Sequence, residues 1–336
     1  MLFGKVVAPH ALALLGRRPP RWLSVLAYRR VRPRPPADHR HDHEVDDCDP
    51  REFTRQMELV ARACAPVGLD DVLDFLDRGR RLPPNPVLVT FDHGYLDNRE
   101  HAQPILDRLG VPACFFLSTS HVAERRLFWW DRVACLFDAT RVATARLTYP
   151  VQILLRPATD GGRSRRTVLR LIQSYAGLDL ERFLSQLARA LRVEWSPELE
   201  RSAADRLVMT WDDARALAAA GMEIGSHARS HRVFHTLSPA QLAVELAGAR
   251  EDIAAAIGRP ARAVSYPFGG SLRRMPAVLR AVRAAGYRVG FSAEPRGNPL
   301  AGELDRYDLA RMPMGALMRR EHLGAYLAAP ELCPAW

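Results

Sequence analysis

Apolar residues along the chain follow two periods. Where they run unbroken for about five or six positions between turn residues, they read as buried strands. Where they recur every three or four positions, they read as helices. Residues 23–28, LSVLAY, predict a first strand. The polar, proline-rich stretch RRVRPRPPADHRHDHEVDDCDP that follows predicts a loop. Helical spacing of Phe, Met, Leu and Val marks residues 51–64 and 69–78. PVLVTFD then reads as a short strand of the buried parallel type. Asp97, with Glu100 three positions on, predicts a helix N-cap. The helix should run to Leu109, stop at Gly110 and lead into the strand VPACFFLST, which completes a βαβ unit.

The pattern is less regular over 121–205, where a glycine- and arginine-rich break, DGGRSRR, is followed by two amphipathic helical stretches, 167–176 and 180–192. This reads as a mainly helical insertion forming a cap. Regular alternation resumes with Thr210 as a cap, a helix, Gly221 as its stop and a short strand into His227. A long helix over 238–257, the strand and loop RAVSYPFGG, a helix ending at Gly286, the strand YRVGFSA and finally LARMPM follow. Repeated strand–helix alternation predicts an α/β fold with a parallel sheet, open or closed into a barrel. The expected organisation is an N-terminal helical extension over 1–22, a core of 23–120 and 206–318, the insertion at 121–205 and a tail at 319–336. In a barrel, chemistry gathers at the C-terminal strand ends. Asp92, His93, His227 and Tyr266 all fall at such ends.

Composition changes this picture little. The net charge is +10, but Lys5 is the only lysine among 48 basic residues, and the arginines are dispersed. That argues for a coding bias rather than a basic face, and against a nucleic-acid partner. No apolar run approaches membrane-spanning length, so no stable membrane insertion is expected. The five cysteines, Cys48, Cys64, Cys114, Cys135 and Cys333, share no short spacing, which suits buried thiols in a reducing compartment. The N-terminus has one lysine and an interrupted apolar stretch without a convincing cleavage site. It is read as an uncleaved helix of a cytoplasmic protein.

Two short stretches carry the chemistry. GSHARSH sets His227 and His231 four apart, a spacing that can turn both imidazoles to one side and grip a divalent metal, although surface pairs share it. TFDHG puts Asp92 and His93 directly after a strand, where both can enter a pocket or stand as a capping acid and a bystander. The acid- and histidine-rich loop His39–Asp49 reads as a solvated loop, and Trp211-Asp212-Asp213 as a helix start. Trp129, Trp130 and Asp131 fit either a sugar-stacking wall or core packing.

Taken together, the chain resembles the polysaccharide deacetylases, the NodB-homology carbohydrate esterases, over most of residues 23–315. Their first motif, TFDDGY with a following D-N pair, is Thr90-Phe91-Asp92-His93-Gly94-Tyr95 with Asp97-Asn98 here. Their second, H-[ST]-x-x-H, is His227-Ala228-Arg229-Ser230-His231. Their third, R-x-P-Y, corresponds to Ser265–Gly269, SYPFG. The resemblance implies a distorted (β/α) barrel with a helical insertion, a mononuclear divalent metal and hydrolysis of an N-acetyl group, usually on an amino sugar. It implies Asp92 as the base, and His93, His227 and His231 as metal ligands. Phe268 would offer a backbone N–H to the oxyanion, within a substrate-binding set of Tyr266, Phe268, Gly269 and Trp130.

The sequence departs from that pattern in four places. His93 replaces a metal-binding acid. Ser265 stands where an arginine would hold the base. Arg29 follows Tyr28 where relatives often show a histidine. The late L-x-H motif is missing, and His322 in the tail is a poor substitute for its histidine. Nitrogen-rich ligation favours Zn²⁺, with Co²⁺ or Ni²⁺ as alternatives, over Mg²⁺ or Mn²⁺. Three neutral imidazoles should also leave a more positive centre and acidify bound water. The expected substrate is an N-acylated amino sugar or a related small molecule or glycan. The alternatives are the same barrel acting on another C–N or acyl bond in a biosynthetic pathway, or a catalytically impaired binding or scaffold protein.

Overall fold

The unbroken apolar stretches form the inner strands. The computed structural model describes residues 22–33, 47–160, 162–175, 177–272, 275–301, 304–315 and 318–329. The helix expected over 1–22 therefore lies outside the described residues apart from Trp22, as does most of the His39–Asp49 loop. The described residues divide into two compact units: 22–33, 47–123 and 209–329 form one, and 124–208 the other.

The larger unit is an α/β barrel of the distorted kind. Its strands are β1 (Trp22–Tyr28), β2 (Ala65–Pro66), β3 (Pro86–Phe91), β4 (Ala113–Leu117), β5 (Glu223–Ser226), β6 (Ala263–Ser265), β7 (Val289–Phe291), β8 (Asn298–Pro299) and β9 (Met312–Pro313). All six residues of β3 and all five of β4 are buried, as expected of parallel strands covered on both faces. The order is β7-β6-β5-β4-β3-β1-β8, with β9 also on β1 and β2 on β3. From β7 across to β1 all neighbours are parallel, for example Tyr28 beside Phe91 and Phe91 beside Phe115.

One segment draws the curled sheet together. Leu309 bridges Phe291 of β7, and three residues later Met312 pairs with Leu26 of β1. The stretch LARMPM thus joins the two edges of the sheet. Beneath the strands lies an apolar core that includes Leu23, Val25, Leu88, Phe116, Val289 and Phe291.

Helices α1 (Pro50–Ala63) and α2 (Leu69–Arg78) match their expected spans closely. Asp49 caps α1 by accepting from the Arg51 amide. Asp97 does not cap α3 (Gln103–Leu109). Its carboxylate instead accepts from Arg30 Nε at 2.6 Å and the Val31 amide at 3.3 Å, and a π turn at Asn98–Ala102 leads into α3. A buried guanidinium outcompetes the free helix amides for that carboxylate. Gly110 ends α3 with φ +64°, as expected. Thr210 and Asp213 form the capping box of α4 (Trp211–Ala219). The long helix begins at Ser238, widens into a π turn at Val244–Gly248 and continues as α5 (Ala249–Ile257). After α6 (Pro276–Ala284), the tail forms α7 (Arg320–Ala328). The tail is tied to α1 by Gln56 donating to the Met318 carbonyl and by Glu52 accepting from the Arg320 amide.

The smaller unit has its own core, with Val133, Leu136, Leu147, Val168, Phe183 and Leu187 at its centre. Its helices are Trp129–Ala139, Arg163–Ser174, Leu180–Ala190 and Pro197–Leu207. The second and third occupy the two stretches read as helical from sequence. The first and fourth, and a hairpin of Ala145–Leu147 against Ile153–Leu155, are additions to that reading. Among the described residues, no helix is long and apolar enough to cross a membrane.

Candidate active site and metal centre

The site lies at the C-terminal ends of the barrel strands, where side chains leaving adjacent strands converge. β3 delivers Asp92 and His93, β5 delivers His227, and the loop after β5 returns with His231. The three histidines are buried, and ring nitrogens from all three lie within 4.8 Å of one another. His93 Nε2 and His231 Nε2 are 3.1 Å apart. The ring centroids form a near-equilateral triangle with sides of 5.0, 4.9 and 4.8 Å.

Backbone geometry sets this triangle. His93 has φ +80° and Gly94 φ +90°, so the chain reverses sharply on leaving β3. The φ of +90° at Gly94 suits glycine, and a Cβ there would also press on Leu117 Cδ2 at 2.9 Å. His227 and His231 do not share a helix. The segment between them is a loop with Ala228 at φ +62° and His231 at φ +56°, a left-handed backbone that costs a non-glycine residue about 1–3 kcal/mol. Residues after β4 pin both histidine loops. The Ser118 amide donates to the His93 carbonyl at 3.3 Å, and Ser118 Oγ donates to the His227 carbonyl at 3.1 Å.

The triangle fits a metal by the chemistry of its donors. Burial lowers the pKa of His93 and His231 well below the imidazole value, and neighbouring histidine charge lowers them further. His227 is also lowered, first by burial, with Asp92 opposing the shift. All three are therefore neutral at pH 7, with lone pairs available. His227 Nδ1 lies 3.0 Å from the Ser265 carbonyl, which fixes Nδ1 as the protonated nitrogen and leaves Nε2 as the donor.

Asp92 stands beside the triangle in a different setting. Arg311 grips it twice, Nη1 to Oδ1 at 2.8 Å and Nη2 to Oδ2 at 2.9 Å. The same guanidinium donates to Ser265 Oγ at 2.7 Å, to Thr90 Oγ1 at 3.2 Å and, through Nε, to the Ser292 carbonyl at 3.2 Å. Burial alone would raise the Asp92 pKa. The charge of Arg311, then that of His227, outweighs burial and holds the carboxyl well below the usual carboxylate range.

Arg311 answers the second sequence departure. Ser265 lacks the guanidinium expected at the third motif, and the arginine of LARMPM supplies it from the segment that joins the barrel edges. Sequence reading missed it because one arginine among so many carries no mark. The third departure, Arg29, is half-buried at the end of β1, and its positive charge helps lower both His93 and His227. The fourth, His322, accepts from the Arg319 amide through Nδ1 at the start of α7.

The expected substrate-binding residues are placed in different ways. Phe268 is 48% exposed, has φ +60° and packs its ring edge-on to His231 at 5.1 Å. Gly269, at φ +69°, leaves no room for a Cβ, which would lie 2.3 Å from the Ala293 Cβ. Tyr266 is buried, and its hydroxyl donates to the Tyr307 carbonyl at 2.7 Å, so its side chain supports the loop rather than facing a substrate. Trp130 belongs to the smaller unit, where it stacks on Phe128 at 4.8 Å and packs against the core there.

This fold is that of a deacetylase barrel. The sequence profile of the polysaccharide deacetylases matches residues 79–162 and 182–290, more than half of the chain, and the chain belongs to that family. Among solved structures, it is similar to the Streptococcus pyogenes deacetylase PplD in complex with acetate. The two share 14% identity and a TM-score of 0.59, over 90% of this chain and 97% of that one. It is similar also to IcaB from Ammonifex degensii, with 18% identity, a TM-score of 0.56, and coverage of 92% and 98%. A third is a de-N-acetylase from Aggregatibacter actinomycetemcomitans, with 15% identity, a TM-score of 0.52, and coverage of 86% and 94%. At these identities the likeness establishes the fold. No curated protein sequence matches the chain. The family is one of hydrolases that act on carbon–nitrogen bonds other than peptide bonds.

Proposed function

We propose that this protein hydrolyses the N-acetyl group of an amino sugar, free or within a glycan or natural-product precursor, at a zinc centre held by His93, His227 and His231. The observation that carries this reading is the meeting of three buried, neutral histidines with an arginine-bound aspartate at the strand ends. The chemistry of two of the similar structures, a deacetylase in complex with acetate and a de-N-acetylase, supports it. When bound, the metal would supply Lewis acidity to the amide carbonyl and acidify a water.

The chain's own residues do the rest. Asp92 stays ionised at neutral pH because Arg311 holds both its oxygens, so it presents a fixed acceptor to the proton of an attacking water. Phe268, half exposed beside His231, offers its backbone to the developing oxyanion. The Ser265 carbonyl keeps His227 in one tautomer.

The test is metal analysis of the purified protein together with acetate release from N-acetylhexosamine substrates. One zinc per chain is expected. Asp92→Asn should keep the zinc and lose about 10²–10⁴-fold in rate. Zinc without acetate release would assign the barrel to another acyl or C–N bond. Absence of zinc, with His227→Ala indistinguishable from wild type, would leave a binding or scaffold protein.

A further inference from the structure

The loop from His227 to His231 has two left-handed, non-glycine residues, yet it must hold two imidazoles in register. Its backbone is secured from two sides. On one side, the turn after β4 takes the carbonyls: the Thr119 amide donates to Ala228 O at 3.3 Å, and the Ser120 amide and hydroxyl donate to Arg229 O at 2.9 and 2.7 Å. On the other side, a single carboxylate takes the amides. Glu245 Oε2 accepts from Arg229 N at 3.0 Å and from Ser230 N at 2.8 Å, while Oε1 accepts from Ser230 Oγ. Ser230 immediately precedes His231.

Glu245 is 5% exposed and lies in the π turn Val244–Gly248, on the side of its helix that also buries Leu242 and Leu246. π turns of this kind recur at functional sites. Its three hydrogen bonds all go to residues 229 and 230. Asp252, two turns further along, meets side chains instead, Arg229 Nε at 3.1 Å and Thr119 Oγ1 at 2.6 Å.

We infer that Glu245 is a positioning residue for the metal centre: by clamping the backbone at 229–230, it sets the left-handed turn that aims His231 at His93 and His227. The inference rests on the reading of these three histidines as ligands. Charge-assisted bonds from two successive amides define the direction of the chain more tightly than neutral bonds do. A ligand held by a rigid outer partner binds metal more tightly than one free to swing, because less freedom is lost on binding.

The experiment titrates Zn²⁺ into the metal-free full-length protein against a chelator and records the visible spectrum of the Co²⁺-loaded form. The variants are Glu245→Gln, Ser230→Ala and Asp252→Asn. Gln keeps the shape of Glu245 but loses its charge and one of its two acceptor oxygens. Glu245→Gln should bind zinc about 10–100-fold more weakly than wild type and shift the cobalt bands. Ser230→Ala, which removes one of the three contacts, should shift both in the same direction by less. Asp252→Asn should leave both unchanged. If Glu245→Gln fails to fold, Ser230→Ala carries the test, and wild-type zinc affinity with an unshifted cobalt spectrum in that variant would overturn the inference. The same result in a folded Glu245→Gln would overturn it directly. A wild-type protein that binds no zinc would refute the ligand reading itself, and the role of Glu245 would fall with it.

Discussion

The two ends of the barrel use the same chemical pairing to opposite effect. At the N-terminal ends of the strands, Arg262 meets Asp70 and Glu223, and Arg288 and Arg306 both meet Asp77. The Asp70 side chain there is 80% exposed. At the C-terminal ends, Arg311 meets Asp92 with both side chains almost wholly out of water. In the first setting water screens the outer pairs, Arg262–Asp70 and Arg288–Asp77, and side-chain ordering offsets much of their attraction, while Glu223, 11% exposed, is the sheltered member of the set. In the second, neither charge can remain without the other. Arginine–carboxylate pairs thus decorate one end of the barrel and organise the other.

The strongest way to break this comparison is Arg311→Ala. It strands the Asp92 carboxylate in the interior and should cost about 3–5 kcal/mol of stability in urea unfolding, with acetate release lost. Next is His93→Ala, which removes one corner of the triangle. Elemental analysis should show zinc falling well below one per chain, while urea unfolding of the metal-free protein changes far less than for Arg311→Ala.

The pH dependence of the metal-free protein sharpens the contrast. The folded chain holds its three site histidines below the ordinary imidazole value, so the unfolded chain takes up protons that the folded one refuses. Stability is therefore complete above about pH 6.5 and falls as the pH drops below it, by up to about 1.4 kcal/mol per unit for each histidine. Asp92 acts with the same sign at lower pH. Its contribution is present above the ordinary carboxylate value and is lost as the carboxyl protonates. Urea midpoints that stay constant from pH 7.5 to 5.5 would contradict the neutral, buried triangle. The smallest effect belongs to the other end of the barrel: Arg288→Ala, at a pair whose arginine side chain is 46% exposed, should shift stability by no more than about 1 kcal/mol, and less in high salt.

Much of this was legible in the residues. Strand–helix alternation announced the parallel sheet because strands buried on both faces are almost continuously apolar, as β3 and β4 are, and the resemblance to the deacetylases implied its closure into a barrel. Asp92, His93, His227 and His231 stood out because short motifs bring them together at strand ends. What escaped notice depended on pairings between distant residues. Arg311 looks like any other arginine until β9 is placed beside β1. Glu245 looks like a helix-surface glutamate until a π turn and a left-handed loop face each other. Asp97 had every local sign of a helix cap, and a remote arginine took it. The hairpin at 145–155 has strands of only three residues, too short for a period to register.

The segment that joins the barrel edges also imposes a timetable. Arg311 is made 219 residues after Asp92. On a ribosome, the strands carrying the aspartate and the histidines are made well before their counter-charge, so Asp92 must stay hydrated until the guanidinium reaches it. The centre is completed late in synthesis. The step that draws the sheet edges together is the same step that neutralises its interior, so a nascent chain halted before LARMPM would carry the motifs in full and have no finished site.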